Sequence, residues 1–277
     1  MKNKQLLRFI SLLLAAVLLS TLLLSCNHAE KKTSADKTPY DETIPASFSD
    51  TSGIERDAEL SPYKPKPISQ QQKTGYTICV DPGHGFVDGG CGEGYYSDGT
   101  LEKDITLAIA SKLTERLKLL GYNVIQTHDG ENLPAEDTNG NRIFSATERV
   151  VYANSLDIDY LISIHVNALD SDTSVKGMHI YYKQSEVKEN TWNKDICESI
   201  ASAITEQIVD AKEPIIKDGS DPNTTFALTK DVRAASSLIE VGFVTNEEDS
   251  ANMIDPAWQE VVANAIADGI DRFFKIQ

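Results

Sequence analysis

The sequence predicts an α/β fold: a single layered domain with a mostly parallel or mixed sheet of about six strands, covered by helices on both faces. Two patterns carry the prediction. Short apolar runs of strand length, such as Tyr76 to Val80 and "YLISIH" at Tyr160 to His165, alternate with longer segments whose apolar residues recur every three or four positions. Those longer segments also stop where helices stop, as at Gly121 after the run that ends on Leu120.

The elements follow in order. After the first strand, Leu101 to Leu120 places Ile105, Ile109, Leu113 and Leu117 on one helical face. "NVIQT" at Asn123 to Thr127 reads as a second strand. Ser145-Ala-Thr-Glu148 has the spacing of a capping box and opens a helix to about Ser155. Strands are expected at Tyr160 to His165 and Met178 to Tyr182, and a long helix from about Thr191 to Val209. Further strands are expected near Phe226 to Thr229 and at Ser237 to Phe243. Pro256, tolerated in a first turn, starts a last helix through Phe274.

This domain occupies residues 74–277 of the 277-residue chain. Before it, residues 1–25 pair Lys2, Lys4 and Arg8 with an apolar run from Phe9 to Leu24, the layout of an export signal. The run closes on Leu23-Leu24-Ser25-Cys26, which resembles the lipobox of bacterial lipoproteins, with Cys26 as the lipidated residue. An uncleaved N-terminal membrane helix is the alternative, and both readings place the remainder extracytoplasmic. Residues 26–73 are rich in Lys, Ser, Thr, Asp, Glu and Pro and read as a disordered tether. Its flexible-chain reach is roughly 35–40 Å. Loss of residues 1–25 would remove three positive charges and no negative ones, taking the net charge from −16 to −19. Such an acidic chain is a poor partner for nucleic acid or anionic polymers. Cys79, Cys91 and Cys197 lack C-x-x-C spacing and read as structural, with one disulfide allowed but no pairing assignable.

Candidate chemistry concentrates at strand ends. "VDPGHG" sets His84 in a tight turn after the first strand, where the ring suits either a ligand site or an ordinary bend. His165 ends a strand, and Glu102 sits at a helix start, where the macrodipole alone would favour it. Open α/β sheets place their sites at these carboxyl ends. Two histidines and a carboxylate with a fourth position for water form a ligand set for catalytic zinc. Glu240, flanked by Ile239 and Val241 in an apolar strand, needs an electrostatic reason to be there and fits a base. His165 equally suits a hydrogen-bonded core histidine. His28 falls in the tether, His128 ends the second strand, and "GMHIYY" does not show which way His179 points. Asp137-Thr-Asn139-Gly-Asn141 imitates the start of a calcium loop, but Arg142 stands where glycine is needed, so it reads as a turn.

In sequence order, "VDPGHG", "LEKDITLAIA", "ERVVYAN", "LISIHVNA", "LIEVGFVTNEEDSANM" and "AIADGIDRFF" together resemble the zinc-dependent N-acetylmuramoyl-L-alanine amidases of the cell wall. The resemblance spans nearly all of residues 74–274. It implies one zinc ion held by His84, Glu102 and His165, with Glu240 catalytic, and so assigns Glu102 a role beyond the macrodipole. It implies peptidoglycan as substrate, with Asn167 and the backbone near Gly85 as weaker candidates for holding it. The chain departs from the family at Thr127-His128, where an arginine is common, and in the long loop of residues 129–144. That loop and residues 212–223 are candidates for covering the groove. A wall-binding lipoprotein without turnover, and a zinc peptidase or deacetylase acting on peptidoglycan, are the competing expectations.

Overall fold

The computed structural model describes residues 75–91, 94–96, 98–130, 145–183, 192–208, 211–219 and 226–277. The calcium-like turn, the signal segment, the tether and most of the 129–144 loop lie outside them. Six strands form one sheet: β1 Thr77–Pro82, β2 Asn123–Gln126, β3 Tyr160–Asn167, β4 His179–Tyr182, β5 Ile215–Lys217 and β6 Ala235–Phe243. Their order is β2-β1-β3-β6-β4-β5, with β2, β1, β3 and β6 mutually parallel. Strand β4 runs antiparallel to β6, and β5 is parallel to β4. The helices are α1 Glu102–Leu119, α2 Ala146–Asn154, α3 Asn193–Gln207, α4 Ala227–Lys230, α5 Glu247–Met253 and α6 Pro256–Phe274.

The two faces of the sheet are covered unequally. Ile78, Val80, Ile162, Ile164, Ile239 and Val241 project into the main core, which α1, α3 and α6 complete with Ile109, Leu113, Ile200 and Ile266. Each fully buried isoleucine or leucine there contributes roughly 1.5–3 kcal/mol of apolar burial. The alternate residues Cys79 and Leu161 point to the other face and meet Val150 and Ala153 of α2 and Leu228 of α4 in a much smaller cluster. That lightly covered face carries Ser163 and His165 of β3, Glu240 of β6 and His179 of β4. Among the described residues no helix is long and apolar enough to cross a membrane.

Caps follow the sequence closely. Ser145 Oγ accepts from Glu148 N at 3.3 Å while Glu148 Oε2 accepts from Ser145 N at 2.8 Å, closing the expected capping box on α2. Asp255 accepts from Ala257 N and Pro256 fills the first turn of α6. Three expectations need correction. Residues 226–229 do not form a strand: Phe226 caps the one-turn helix α4, and Lys230 N donates back to Phe226 O at 2.9 Å. Within the 212–223 stretch expected to cover the groove, Ile215–Lys217 form β5, which adds an edge to β4. Helix α5, capped by Asn246, was not anticipated, because only Met253 of it is buried and no apolar period shows. Cys79, Cys91 and Cys197 are free thiols, so no disulfide joins them.

Candidate active site

The first strand delivers its chemistry through a turn fastened from several sides. Gly83 N donates to Ile164 O of β3 at 2.8 Å, and Thr106 Oγ1 of α1 donates to Gly83 O at 2.7 Å. Pro82 O accepts from Arg149 Nη1 of α2 at 2.8 Å and lies 3.0 Å from His128 Nε2. Beneath it the fully buried Asp81 accepts from Thr127 Oγ1 at 2.7 Å and Ser163 Oγ at 2.6 Å, with Arg149 Nη1 at 3.4 Å. Held this way, the chain takes left-handed φ values of 63° at His84 and 56° at Phe86. These cost on the order of 1 kcal/mol each and aim the His84 ring across the sheet end.

Three side chains meet there. Glu102 Oε1 lies 3.2 Å from His84 Nε2 and 3.1 Å from His165 Nδ1, and it accepts from Val166 N at 2.9 Å. The other oxygen, Oε2, accepts from Cys91 N at 2.7 Å. One ligand atom from each of His84, Glu102 and His165 lies within 4.8 Å of the others, an arrangement that could hold a metal ion. The two imidazoles stand edge to face, 4.9 Å between centroids. Glu240 is the direct cross-strand neighbour of His165 on β6, so both side chains stand on the lightly covered face. Its Oε2 is buried without a hydrogen-bond partner, an arrangement that costs free energy unless something at the site compensates it.

A match to the N-acetylmuramoyl-L-alanine amidase family spans residues 78–272. The chain belongs to that family. Among its relatives, the germination-specific N-acetylmuramoyl-L-alanine amidase of Bacillus subtilis is 31% identical over 205 residues, covering 73% of this chain and 81% of the relative. The CwlD amidase from Clostridioides difficile, solved in complex with the GerS lipoprotein, aligns at 27% identity with a TM-score of 0.61, covering 73% of this chain and all of that one. AmiC2 of Nostoc punctiforme, also an N-acetylmuramoyl-L-alanine amidase, aligns at 25% identity with a TM-score of 0.59, covering 74% and 99%.

The electrostatics of this amidase fit a bound cation. Burial alone would raise the Glu102 pKa, yet hydrogen bonds from His165 and His84 hold it far below the usual carboxylate range. Burial alone would lower that of His84, yet Glu102 and Asp88 hold it above its ordinary value. Burial, reinforced by the charge of Glu102, pushes Glu240 up to about 8. A cation between these groups would satisfy two imidazoles and a carboxylate and would draw Glu240 back toward its ionised form. The donor set therefore suits the zinc that the amidase family implies.

The structure also supplies residues that sequence reasoning missed. Asp88 Oδ2 sits 2.9 Å from His84 Nδ1 and so leaves Nε2 to face Glu102, the way an outer carboxylate orients a metal-binding histidine. Gly85 pairs both backbone groups with Asp88, at 2.9 and 3.0 Å, so its amide is engaged within the turn. His128 packs on that turn and is not among the converging groups. His179 pairs with Glu240 across β4 and β6 and stands on the same face.

Two glycines set the clearances of the amidase site. A Cβ on Gly83 would lie 2.6 Å from both His165 Cε1 and Ile164 O. One on Gly90, at φ +74°, would collide with Glu102 Oε2 and come within 2.7 Å of His84 Cδ2. Gly90→Ala should therefore weaken zinc binding by roughly 10–100-fold, as loss of an outer-sphere partner does, while far-UV circular dichroism stays native. Competition with a calibrated chelator measures it.

Proposed function

We propose that the chain is a zinc-dependent, lipid-anchored amidase that hydrolyses the amide between N-acetylmuramic acid and L-alanine in peptidoglycan. The observation that carries the reading is the meeting of His84 Nε2 and His165 Nδ1 on Glu102 Oε1, with the unpartnered carboxylate of Glu240 on the adjoining strand. In this reading His84, Glu102 and His165 hold one zinc ion. When bound, the ion supplies an acidified water and polarises the amide carbonyl. Glu240 takes the proton from the attacking water and passes it to the leaving amine of alanine. Asp88 keeps His84 in the tautomer whose Nε2 faces the ion. Asn167, at the end of β3 two residues past His165, holds substrate.

The N-terminal segment completes the proposal. Export through residues 1–25, lipidation at Cys26 and a tether over residues 26–73 hold the catalytic domain of residues 74–277 on the outer side of the cytoplasmic membrane. Anchoring restricts the enzyme to wall near the membrane and raises its effective concentration there.

Product analysis tests the reading. Purified peptidoglycan incubated with the zinc-loaded protein should gain L-alanine amino termini, with stem peptides intact, and a chelator should stop the release. Internally cut peptides or freed acetate would redirect the reading to a peptidase or deacetylase. Binding without any product would leave a wall-binding lipoprotein.

A further inference from the structure

The proton carried by Glu240 goes to the leaving alanine amine, so the peptide side of the substrate extends past Glu240, away from His84 and Glu102. Across the sheet in that direction come His179 on β4 and then Ile215 on β5, with Tyr181 and Lys217 paired two residues further along these strands and on the same face. Neighbouring strands lie about 4.8 Å apart, which puts β5 roughly 10 Å from β6. An extended peptide advances roughly 3.3–3.6 Å per residue. With the alanine amine at Glu240, the next residue of the stem therefore comes over β4, where Lys217 Nζ reaches back to Tyr181 Oη.

A built polar cluster stands there. Lys217 Nζ is 3.4 Å from Tyr181 Oη and 5.2 Å from the centre of its ring. The same hydroxyl lies 3.1 Å from His179 Nδ1. Phe226 packs edge to face on Tyr181 at 5.0 Å, and Phe243 on His179 at 5.2 Å, so both rings are fixed. Among the described residues, none of the ion pairs between Lys or Arg and Asp or Glu includes Lys217. Lys103, Lys112 and Lys183 are likewise half-buried without a carboxylate partner, but each donates to a carbonyl or amide oxygen, whereas among the described residues the Lys217 ammonium meets only the Tyr181 hydroxyl and ring. Burial and the charge of Lys217 lower the His179 pKa to about 4, so this imidazole is neutral at neutral pH.

We propose that Lys217, with the Tyr181 hydroxyl, forms a subsite for a free carboxylate on the second residue of the stem peptide. The subsite rests on the amidase reading for its substrate, and it makes the enzyme prefer an acidic second residue over the corresponding amide. A hydrogen bond to a charged group contributes about 1.5–3 kcal/mol, so the preference is roughly tenfold or more. It resides in KM, because the carboxylate is held equally before and during the reaction.

The test compares N-acetylmuramoyl-L-alanyl-D-glutamate with its isoglutamine form. Zinc-loaded wild-type protein should cleave the acid with the lower KM, Lys217→Met should bring the two substrates together, and Lys217→Arg should keep the preference. Equal KM values in the wild type, or a preference surviving in Lys217→Met, would overturn the proposal. A second arm needs no turnover: calorimetry with L-alanyl-D-glutamate should show binding to the wild type that Lys217→Met loses, and equal binding to both proteins sinks the subsite. If the wild type frees no alanine amino terminus from either substrate, the amidase reading fails, and the dipeptide arm still decides the subsite.

Discussion

Glu240→Gln should lower kcat on peptidoglycan by about 10²–10⁴-fold while the protein still binds zinc. The substitution keeps the shape of the side chain and removes only its capacity to take a proton, so a variant with wild-type turnover would end its assignment as the base. The same variant exposes what the buried carboxylate costs without metal. In chelated protein the folded-state pKa of Glu240 is raised from 4.5 to about 8. Below pH 4.5 the group is protonated both folded and unfolded and imposes no differential cost. As pH rises from 4.5 through about 8 the unfolded chain ionises more readily, and stability is lost. Denaturant unfolding of chelated wild type should therefore fall behind chelated Glu240→Gln across this window, by a difference of order a few kcal/mol at its upper end. Zinc should abolish most of the gap.

Glu102→Ala should lose both the metal and the activity. Glu102 collects His84, His165, Cys91 N and Val166 N on two carboxylate oxygens, so its removal leaves two imidazoles without the oxygen that gathers them. Because an outer-sphere partner alone is worth roughly 10–100-fold in metal affinity, loss of this direct ligand should exceed that range. Zinc content after dialysis reads the result directly. A variant that retained stoichiometric zinc would confine Glu102 to capping α1, the role that the helix macrodipole alone suggests.

Much of this was legible in the sequence because the responsible signals are local. The apolar runs of β1, β3 and β6, the period of α1 and the capping box of α2 each lie within one short window, and all formed as read. The failures have a common physical origin. A three-residue strand such as Ile215–Lys217 is too short to show a period, and it is a strand only because β4 lies beside it. "FALT" has strand-like composition, but Leu228 finds its apolar partners by turning inward from a single helical turn. At the site, His84 and His165 stood out at strand ends and Glu240 as a carboxylate within an apolar strand, while only the family resemblance gave Glu102 a role beyond the helix macrodipole. Asp88 did not, since its contact with His84 depends on a left-handed turn that no spacing rule announces. Nothing local in the sequence marks Arg149, yet it is almost wholly buried against Asp81 and the Pro82 carbonyl.

The fastening of the β1 turn bears on how the enzyme comes into being. Its donors sit at positions 84, 102 and 165, and the turn is tied to β3, α1 and α2 before the His84 ring can aim correctly. In a small zinc finger the ion gathers neighbouring ligands and drives the fold. Here the separations are long, and closing such loops costs entropy that a single ion meeting an unfolded chain would have to offset. Metal capture thus comes after the parallel strands have assembled. On the proposed reading the chain would fold first, and a metal ion would complete the site afterwards.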